Sequence, residues 1–312
     1  MKLLSKIKQS LHKDRPISIL DKALGRWVRP GLYAVSPLWL SRYRYQLLRG
    51  KRLDLRNPRS FDEKLLWLNH YWRHPLKTQC ANKYGVRSYV AERGYGHILP
   101  KLLGVYKKSN EIDFDALPHQ FVLKCTHGCN FNIICDDKKA LDVRSAGAKL
   151  DYWLTLDISK RWAEIHYEKI EPRIICEEFL DDGSGFLPVD YKIFCFNGQP
   201  HCTMACSERS LQDERAKYDF YSLGWTEKLT YSKTSLLANR NIPKPKGYAD
   251  MLAVAGKLSE PFPFVRVDLY SIGERVVFGE MTFTPDGCID VNLTDLAQRV
   301  LGELVKLPNP WP

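Results

Sequence analysis

The sequence predicts a protein of mixed structure, of the α+β or α/β class, with a short helical segment at its amino terminus. Three observations lead to this prediction. Residues 1–50 have a mostly helical pattern. From about residue 57, short apolar runs rich in β-branched and aromatic residues occur between amphipathic helical stretches. The composition, 44% hydrophobic and 27% charged residues over 312 positions, is that of a globular chain with a substantial core.

Cysteine usage and the lack of long apolar runs predict a cytoplasmic location. The nine cysteines include no CxxC pair, which indicates a reducing compartment. No apolar run approaches the roughly 18–20 residues of a membrane span, and the first residues lack a signal-peptide core. A zinc site is disfavoured because the candidate ligands match no familiar spacing: Cys125, His127 and Cys129, then His201, Cys202 and Cys206.

The net charge of +11 indicates an acidic partner. Nucleic acid, an anionic membrane surface and a polyanionic substrate are all compatible with this charge. Nucleic acid has the least support, because no helix-turn-helix, RNA-binding aromatic motif or zinc finger accompanies the basic residues. No nucleic-acid partner is therefore expected.

Residues 1–56 are predicted to form a basic helical segment that is broken at Pro30 and Pro37. Trp39, Tyr43 and Tyr45 lie among arginines in this segment. Such a face usually packs on its own domain, and this interpretation is favoured. The alternative is a peripheral association with the inner face of the membrane.

Residues 57–117 are predicted to form a small α/β domain. Ser60 and Glu63 have the spacing of a capping box, which starts an amphipathic helix after Asn57-Pro58. A second helix is expected over residues 78–93, and residues 98–106 are expected to form a strand and a turn.

From residue 118 a new pattern begins, in which two strands enclose a short loop. Residues 121–125 form the first predicted strand, and Lys124 lies on it ahead of Gly128. A lysine at such a strand end can hold a nucleotide phosphate while N–H groups of the loop hold others. An ordinary surface hairpin with a solvated lysine is the alternative.

The predicted strand over residues 172–180 ends in two adjacent glutamates, Glu177 and Glu178. Adenine sites often lie beside such a strand end, where backbone groups pair with the edge of the base. The next predicted strand begins at Asp190, and Lys192 shares a strand face with it.

A charged hairpin follows a predicted helix over residues 249–258. Its strands are expected over residues 264–270 and 275–283, with a loop of three to five residues around Gly273. Alternation places Arg266 and Asp268 on one face of the first strand, and Glu280 and Thr282 on one face of the second.

The expected register of this hairpin pairs Tyr270 with Val276. Arg266 would then lie opposite Glu280, with Asp268 as a diagonal neighbour roughly 7–8 Å away. Two converging carboxylates favour a Mg²⁺ site, with Arg266 left to hold an anion such as phosphate. An exposed ladder of ion pairs is the alternative.

The order of these motifs resembles the ATP-grasp superfamily, and more closely its TupA-like branch, which is associated with bacterial surface polysaccharide and teichuronopeptide synthesis. The resemblance covers residues 57–285 and rests on NPRSFDEKLLWL, FVLKCTHGCNFNIIC, IICEEFL, DYKIFCFNG and FPFVRVDLY. It implies the ATP-grasp fold, in which two α+β subdomains grip ATP. Residues 118–180 would form the nucleotide lid and residues 181–312 the metal-binding and catalytic subdomain.

The resemblance also implies roles for individual residues. Those implied to bind the nucleotide are Lys124, Gly128, Glu177, Glu178, Leu180 and Lys192. Those implied to be catalytic are Arg266 and Lys192, and those implied to bind metal are Asp268, Glu280 and Thr282.

The sequence departs from the family pattern at three places. Thr282 stands where the superfamily has asparagine, and Asp286 follows Pro285 where glycine is usual. The loop over residues 126–131 is poor in glycine, so approach to phosphate would rest on Gly128, helped by Asn130 in a left-handed conformation.

The implied activity is carboxylate–amine ligation that uses ATP and Mg²⁺, with two ions, through an acyl-phosphate. The family setting suggests that the carboxylate belongs to a uronic acid of a surface polysaccharide or its precursor, and that the partner is a small amine, either an amino acid or an amino alcohol. One alternative is a sugar phosphotransferase or a glycosyltransferase-like enzyme of polysaccharide synthesis. Another is a non-catalytic assembly protein that binds polyanion or membrane.

Arg209 and Lys217 are candidates for acceptor binding, although plain surface charge is the favoured interpretation for both.

Overall fold

A computed structural model describes residues 28–210 and 216–308. The predicted helical segment at residues 1–27 lies outside the described residues. Residues 28–35 are helical, and helix α1 follows at Pro37–Arg49, with the Ser36 side chain as its amino-terminal cap. Pro37 therefore marks a break as predicted. Pro30 lies in the first described turn of helical residues 28–35, a position where proline is tolerated, and the residues that would test a break before it lie outside the described part of the chain.

Helix α2, Phe61–Tyr71, begins at the predicted capping box. The Ser60 hydroxyl accepts from the backbone N–H of Glu63 at 3.3 Å, and the Glu63 carboxylate accepts from the backbone N–H of Ser60 at 3.0 Å. Two of the unpaired N–H groups at the helix start are satisfied in this way. The sequence prediction for this helix is confirmed.

The single helix predicted over residues 78–93 was wrong. The structure has two shorter helices, α3 at Pro75–Ala81 and α4 at Val86–Val90, and α4 continues into a π-helical turn at Ala91–Tyr95. The Asn82 side chain accepts from the backbone N–H groups of residues 84 and 85, and this local turn replaces helical bonding between the two helices.

Four antiparallel strands form the first sheet, in the order β1-β4-β2-β3. The strands are β1 Leu102–Tyr106, β2 Phe121–Cys125, β3 Asn132–Cys135 and β4 Ile174–Glu178. Helices α5 Val143–Leu154 and α6 Ser159–Trp162 lie between β3 and β4 in the chain. Leu150 and Trp153 of α5 pack with Leu123 and Cys176 on the apolar face of this sheet, which leaves the other face free for a site.

Six antiparallel strands form the second sheet, in the order β10-β9-β5-β6-β7-β8. They are β5 Asp190–Phe196, β6 Gln199–Ser207, β7 Lys217–Ser222, β8 Lys228–Leu229, β9 Phe264–Ile272 and β10 Arg275–Thr282. Helix α7, Tyr248–Ser259, packs on one face. Helices α2 and α8, the latter at Asp295–Leu304, cover part of the other face, and a cleft lined by charged side chains occupies the rest of it.

The charged hairpin is formed by β9 and β10, but its predicted loop and register were wrong. Ile272 pairs with Arg275, so the turn has two residues rather than three to five, and Tyr270 lies opposite Val277 rather than Val276. A bulge at Gly279 then shifts the pairing by one more residue. A Cβ at Gly279 would lie 2.9 Å from the carbonyl oxygen of Asp268, so only glycine fits there.

No helix among the described residues has both the length and the apolar character needed to cross a membrane. The described part of the chain also contains no group of three or more histidine, cysteine, aspartate or glutamate side chains arranged to hold a metal ion.

Candidate active site

A cleft with a cavity of about 280 Å³ separates the two sheets. The four-stranded sheet presents one face to it, with Val122 and Lys124 of β2, Asn132 and Ile134 of β3, and Glu177 of β4. The six-stranded sheet presents Asp190, Lys192, Asp268, Tyr270 and Glu280. The strand alternation read from the sequence therefore directs both sets of charged side chains into one space.

Lys124 and Glu177 are ion-paired in the wall formed by the first sheet. The Lys124 ammonium lies 2.7 Å from Oε2 of Glu177, and the Arg87 guanidinium lies 2.8 Å from Oε1 of the same carboxylate. Because β2 and β4 are antiparallel neighbours, these residues lie diagonally across one sheet face. Glu177 therefore orients two cations that point into the cleft.

Sequence reasoning missed Arg87 and Lys83, which also line the cleft. Both come from the α3–α4 region: Lys83 lies 45 residues before the loop residue that it contacts, and Arg87 lies 90 residues before its partner on β4. The Lys83 ammonium donates to the carbonyl of Gly128, and its backbone N–H donates to the carbonyl of Thr126. No local motif marks either residue, because only tertiary packing brings this region to the loop.

The loop after β2 approaches the cleft through Cys129 and Asn130, whereas Gly128 is not among the lining residues. Asn130 has φ 60, the left-handed conformation predicted for it. A Cβ at Gly128 would lie 2.8 Å from the ring of Phe131. The glycine therefore permits close packing within the loop, and the residues after it face the cleft.

The end of β4 forms an apolar corner of the cleft. Glu178 and Leu180 line it, together with Phe179, Leu187 and Pro188. The Glu178 carboxylate accepts from the backbone N–H of Lys101 at 3.0 Å, which ties the strand end to the segment before β1. A flat apolar group with polar edges fits this corner.

Asp268 is the centre of a buried ion cluster on the second sheet. Its carboxylate accepts two bonds of 2.7 Å from Arg266, and the Lys192 ammonium lies 2.5 Å from Oδ2. Lys192 also lies 2.5 Å from Asp190. Burial lowers the pKa of both Lys192 and Arg266, but the adjacent carboxylates outweigh burial and raise the pKa of each above its ordinary value.

The bulge at Gly279 changes which charges face one another. Asp268 pairs directly with Glu280, and Arg266 pairs with Thr282, so the predicted pairing of Arg266 with Glu280 was wrong. Residues directly opposite in an antiparallel pair have Cβ atoms about 4.5–5.5 Å apart, so Asp268 and Glu280 are nearer neighbours on the sheet than the diagonal pairing expected from the sequence.

Glu280 remains accessible in the cleft, with 43% of its side chain exposed. The Thr282 hydroxyl donates to its Oε1 at 3.2 Å, and the Arg266 guanidinium lies 3.5 Å away. The protein atoms around the cleft oppose ionisation of Glu280 although its side chain is accessible, but Lys83, Lys192 and Arg266 outweigh this effect and lower the pKa to about 2. Glu280 is therefore a carboxylate at any physiological pH.

The oxygen donors on β9 and β10 fit Mg²⁺. Magnesium in proteins is typically held by one or two carboxylates together with water and substrate phosphates. Asp268 and Glu280 supply two carboxylates on adjacent strands, and the Thr282 hydroxyl lies beside Glu280. Asp268 also holds two cations, so a metal ion at this place would share that carboxylate with Arg266 and Lys192.

A second cavity of about 320 Å³ adjoins the cleft and shares Lys192 and Glu280 with it. Arg266 and Thr282 line this second cavity, as does Asp286, whose φ of 48 is the left-handed conformation that glycine prefers. The family's usual glycine at this position thus matches the backbone observed here.

The two acceptor candidates are separated in the structure. Arg209 lines the cleft, and its guanidinium donates to the carbonyl of Pro188 at 2.9 Å. Lys217 begins β7 and donates to the carbonyl of Ser235 at 3.4 Å, and it lines neither cavity.

No protein of curated function matches the sequence significantly. A solved L-amino acid ligase from Bacillus licheniformis aligns over 71% of this chain and 48% of its own, with 15% identity and a TM-score of 0.44. D-alanine–D-alanine ligase from Helicobacter pylori aligns over 80% and 71%, with 16% identity and a TM-score of 0.41.

D-alanine–D-alanine ligase from Bacillus anthracis, solved with ATP, aligns over 66% of this chain and 55% of its own, with 13% identity and a TM-score of 0.39. The chain thus spans about half the length of the two Bacillus ligases. The family model for TupA-like ATP-grasp proteins matches residues 63–306, which is most of the chain. The chain therefore belongs to the TupA-like ATP-grasp family.

Proposed function

We propose that the protein is an ATP- and Mg²⁺-dependent carboxylate–amine ligase. The observation that carries this proposal is the direct pairing of Asp268 with Glu280 in a cleft whose opposite wall holds Lys124. One wall offers oxygen ligands for a metal, and the other offers a cation for phosphate. Family membership supports the same activity.

ATP would lie along the cleft between these walls. The apolar corner at Glu178 and Leu180 would take the adenine, with Glu177 near the ribose. Lys124, Lys192 and the loop after Gly128 would contact the phosphates. In this proposal, residues 118–180 would form the nucleotide lid and residues 181–312 the metal-binding part, after a small domain at residues 57–117 whose strand β1 joins the sheet of the lid.

Asp268, Glu280 and Thr282 would hold Mg²⁺ at the phosphate end of the cleft. When bound there, two such ions would offset the negative charge of the phosphates as the phosphoryl group is transferred. Arg266 and Lys192 would keep Asp268 ionised and supply positive charge next to the transferred phosphate.

The reaction needs no protein nucleophile. A substrate carboxylate oxygen attacks the γ-phosphorus, the bond to the β-phosphate oxygen breaks, and ADP leaves. The amine nitrogen then attacks the acyl carbon, the bond from that carbon to the phosphate oxygen breaks, and the nitrogen gives up a proton. The protein contributes by positioning the groups and by electrostatic stabilisation.

The family setting points to a uronic acid of a bacterial surface polysaccharide, or its precursor, as the carboxylate substrate, and to a small amine as the other. The net charge of +11 favours an acidic substrate of this kind. Such a reaction would take place in the cytoplasm or at the inner face of the membrane.

The test is calorimetric titration of ATP into the protein with and without Mg²⁺. We expect binding that requires Mg²⁺ and weakens about tenfold or more in Lys124→Ala and Glu280→Ala. Glu274→Ala is a matched control, because Glu274 lies on the turn of the same hairpin and its side chain is 88% exposed. Failure of the wild type to bind ATP would refute the ligase function and favour a non-catalytic, polyanion-binding protein.

Product mass then separates the ligase from a sugar phosphotransferase. A ligase yields a condensed amide with ADP and phosphate, whereas a phosphotransferase yields a phosphorylated sugar and ADP.

A further inference from the structure

The second cavity lies where a substrate could meet the reacting end of ATP. It shares Cys129, Asn130, Lys192 and Glu280 with the ATP cleft. A ligand inside it would therefore contact the same Glu280 that faces the phosphates. A substrate role for this cavity rests on the proposed ligase function, because that function defines which end of the cleft is reactive.

The second cavity is lined by more acidic than basic side chains. Its carboxylates are Glu164, Glu280, Asp286 and Asp290, and its cations are Lys192 and Arg266. Both cations are already paired with carboxylates of the second sheet. The cleft, in contrast, balances five lining cations, Lys83, Arg87, Lys124, Lys192 and Arg209, against the five carboxylates of Glu177, Glu178, Asp190, Asp268 and Glu280. A polyphosphate suits the cleft, and a cation suits the second cavity.

Glu164 supplies an independent sign that a ligand binds in the second cavity. It is only 5% exposed and lines that cavity. Its Oε1 accepts from the Thr284 hydroxyl at 2.6 Å, but its buried Oε2 has no hydrogen-bond partner among the described residues. A buried carboxylate oxygen without a donor is unfavourable, so a donor supplied by a ligand would stabilise it.

A strained turn fixes the other acidic pair. Asp286, Gly287 and Cys288 have consecutive positive φ values of 48, 60 and 68. The Arg44 guanidinium donates to the carbonyls of Trp162 and Gly287, each at 2.9 Å, and so clamps this turn against α6. Strain of this kind is kept where a site requires it, and here it holds Asp286 beside Asp290.

Burial raises the pKa of two acidic groups in this cavity, and the nearby cations do not cancel this effect. Burial raises the pKa of Glu164 to about 7, although Arg44 and Arg161 act in the opposite direction. Burial together with Asp286 raises the pKa of Asp290 above its ordinary value. Aromatic rings complete the lining: Trp162, Tyr167, Tyr218 and Phe220. Carboxylates combined with aromatic faces are the usual setting for binding an organic ammonium group.

We propose that the second cavity binds the amine substrate as an ammonium ion, held by Glu164 and by the pair Asp286 and Asp290. One of these carboxylates takes a proton from the ammonium group, and the neutral nitrogen then attacks the acyl carbon. The chemical class is a small amine that carries no carboxylate, such as an amino alcohol or a diamine. An amino acid is disfavoured, because its own carboxylate would meet acidic groups while both lining cations are already paired.

The test is calorimetric titration of three probes into the full chain saturated with ADP and Mg²⁺. The probes are ethanolamine, which is cationic, glycine, which is zwitterionic, and 3-hydroxypropionate, which is anionic. We expect ethanolamine to bind about tenfold or more tightly than the other two. Equal or tighter binding of glycine or 3-hydroxypropionate would overturn the proposal, and this comparison needs no variant.

Two variants then test the assigned residues. Glu164→Gln and Asp290→Asn are close in shape to the native side chains and should weaken ethanolamine binding about tenfold. Glu227→Gln, which alters an exposed carboxylate outside both cavities, is the matched control. Unchanged ethanolamine affinity in both test variants would overturn the assignment.

ATP affinity, measured in the same samples, should stay within about twofold of wild type in all three variants. Failure of the wild type to bind ATP would instead refute the ligase function, so the two failures are distinguishable.

Discussion

The two carboxylates of the proposed metal pair should respond differently to removal of their charge. The perturbations are Asp268→Asn and Glu280→Gln, which preserve shape. Both should abolish Mg²⁺-dependent turnover with ATP, because each removes one of the two adjacent carboxylates. Only Asp268→Asn should lower the free energy of unfolding strongly.

The loss of unfolding free energy in each variant depends on the contacts of the side chain that is changed. Asp268 is 1% exposed and holds Arg266 and Lys192 through contacts of 2.5–2.7 Å. Removing one partner of a buried ion pair costs about 3–5 kcal/mol, because the remaining charge stays buried. The carbonyl of asparagine can still accept one bond, so the cost should lie near the lower end, about 3 kcal/mol.

Glu280 should contribute much less to stability. Its side chain is 43% exposed, and its distance to Arg266 is 3.5 Å. An accessible pair of this kind is worth about 0–1 kcal/mol. The free energies of unfolding of the two variants should therefore differ by about 2 kcal/mol or more.

Urea unfolding followed by circular dichroism measures this difference, and phosphate release from ATP measures turnover. Equal unfolding free energies for the two variants would refute the description of Asp268 as the centre of the ion cluster. Wild-type turnover in Glu280→Gln would refute its role in metal binding.

Three further predictions concern stability and can be measured by urea unfolding. Ser60→Ala removes the cap of α2 and should cost about 1 kcal/mol, whereas an unchanged midpoint would show that the capping box contributes nothing. Gly302→Ala should cost roughly 1–3 kcal/mol, because its Cβ would lie 2.5 Å from the carbonyl oxygen of Arg59; a neutral effect would mean that α8 shifts freely. Glu164 has a pKa raised from 4.5 to about 7, so its protonated form stabilises the folded state fully below pH 4.5, and this stability is lost as the pH rises through 7. Relative to Glu164→Gln, the wild type should therefore lose roughly 3 kcal/mol between pH 4.5 and 8, and a pH-independent difference would contradict the burial of this group as an acid.

Local sequence patterns predicted the features that depend on neighbouring residues. The capping box at Ser60 and Glu63 forms as expected, because a helix start requires only a few consecutive side chains. Alternation along β2 and β9 correctly placed Lys124 on one strand face and Arg266 with Asp268 on another.

The register and turn of the β9–β10 hairpin could not be predicted from the alternation of side chains alone. The two-residue turn after Ile272 and the bulge at Gly279 each shifted the hairpin by one residue. Alternation alone is compatible with several registers, because it fixes the face of a side chain and not its partner. The direct pairing of Asp268 with Glu280 therefore became visible only in the structure.

The sequence alone determined which strands carry the charged side chains, which loop residue adopts the left-handed conformation, and to which family the motifs are similar. Tertiary structure decided which charges meet. Arg87 reaches Glu177 across 90 positions, and Glu164 reaches Thr284 across 120. These contacts join separate elements through packing of the whole chain, and no pattern of local spacing encodes such a distance. The clustering of acidic groups in the second cavity arises from the same packing, which is why the amine site could be inferred only from the folded chain.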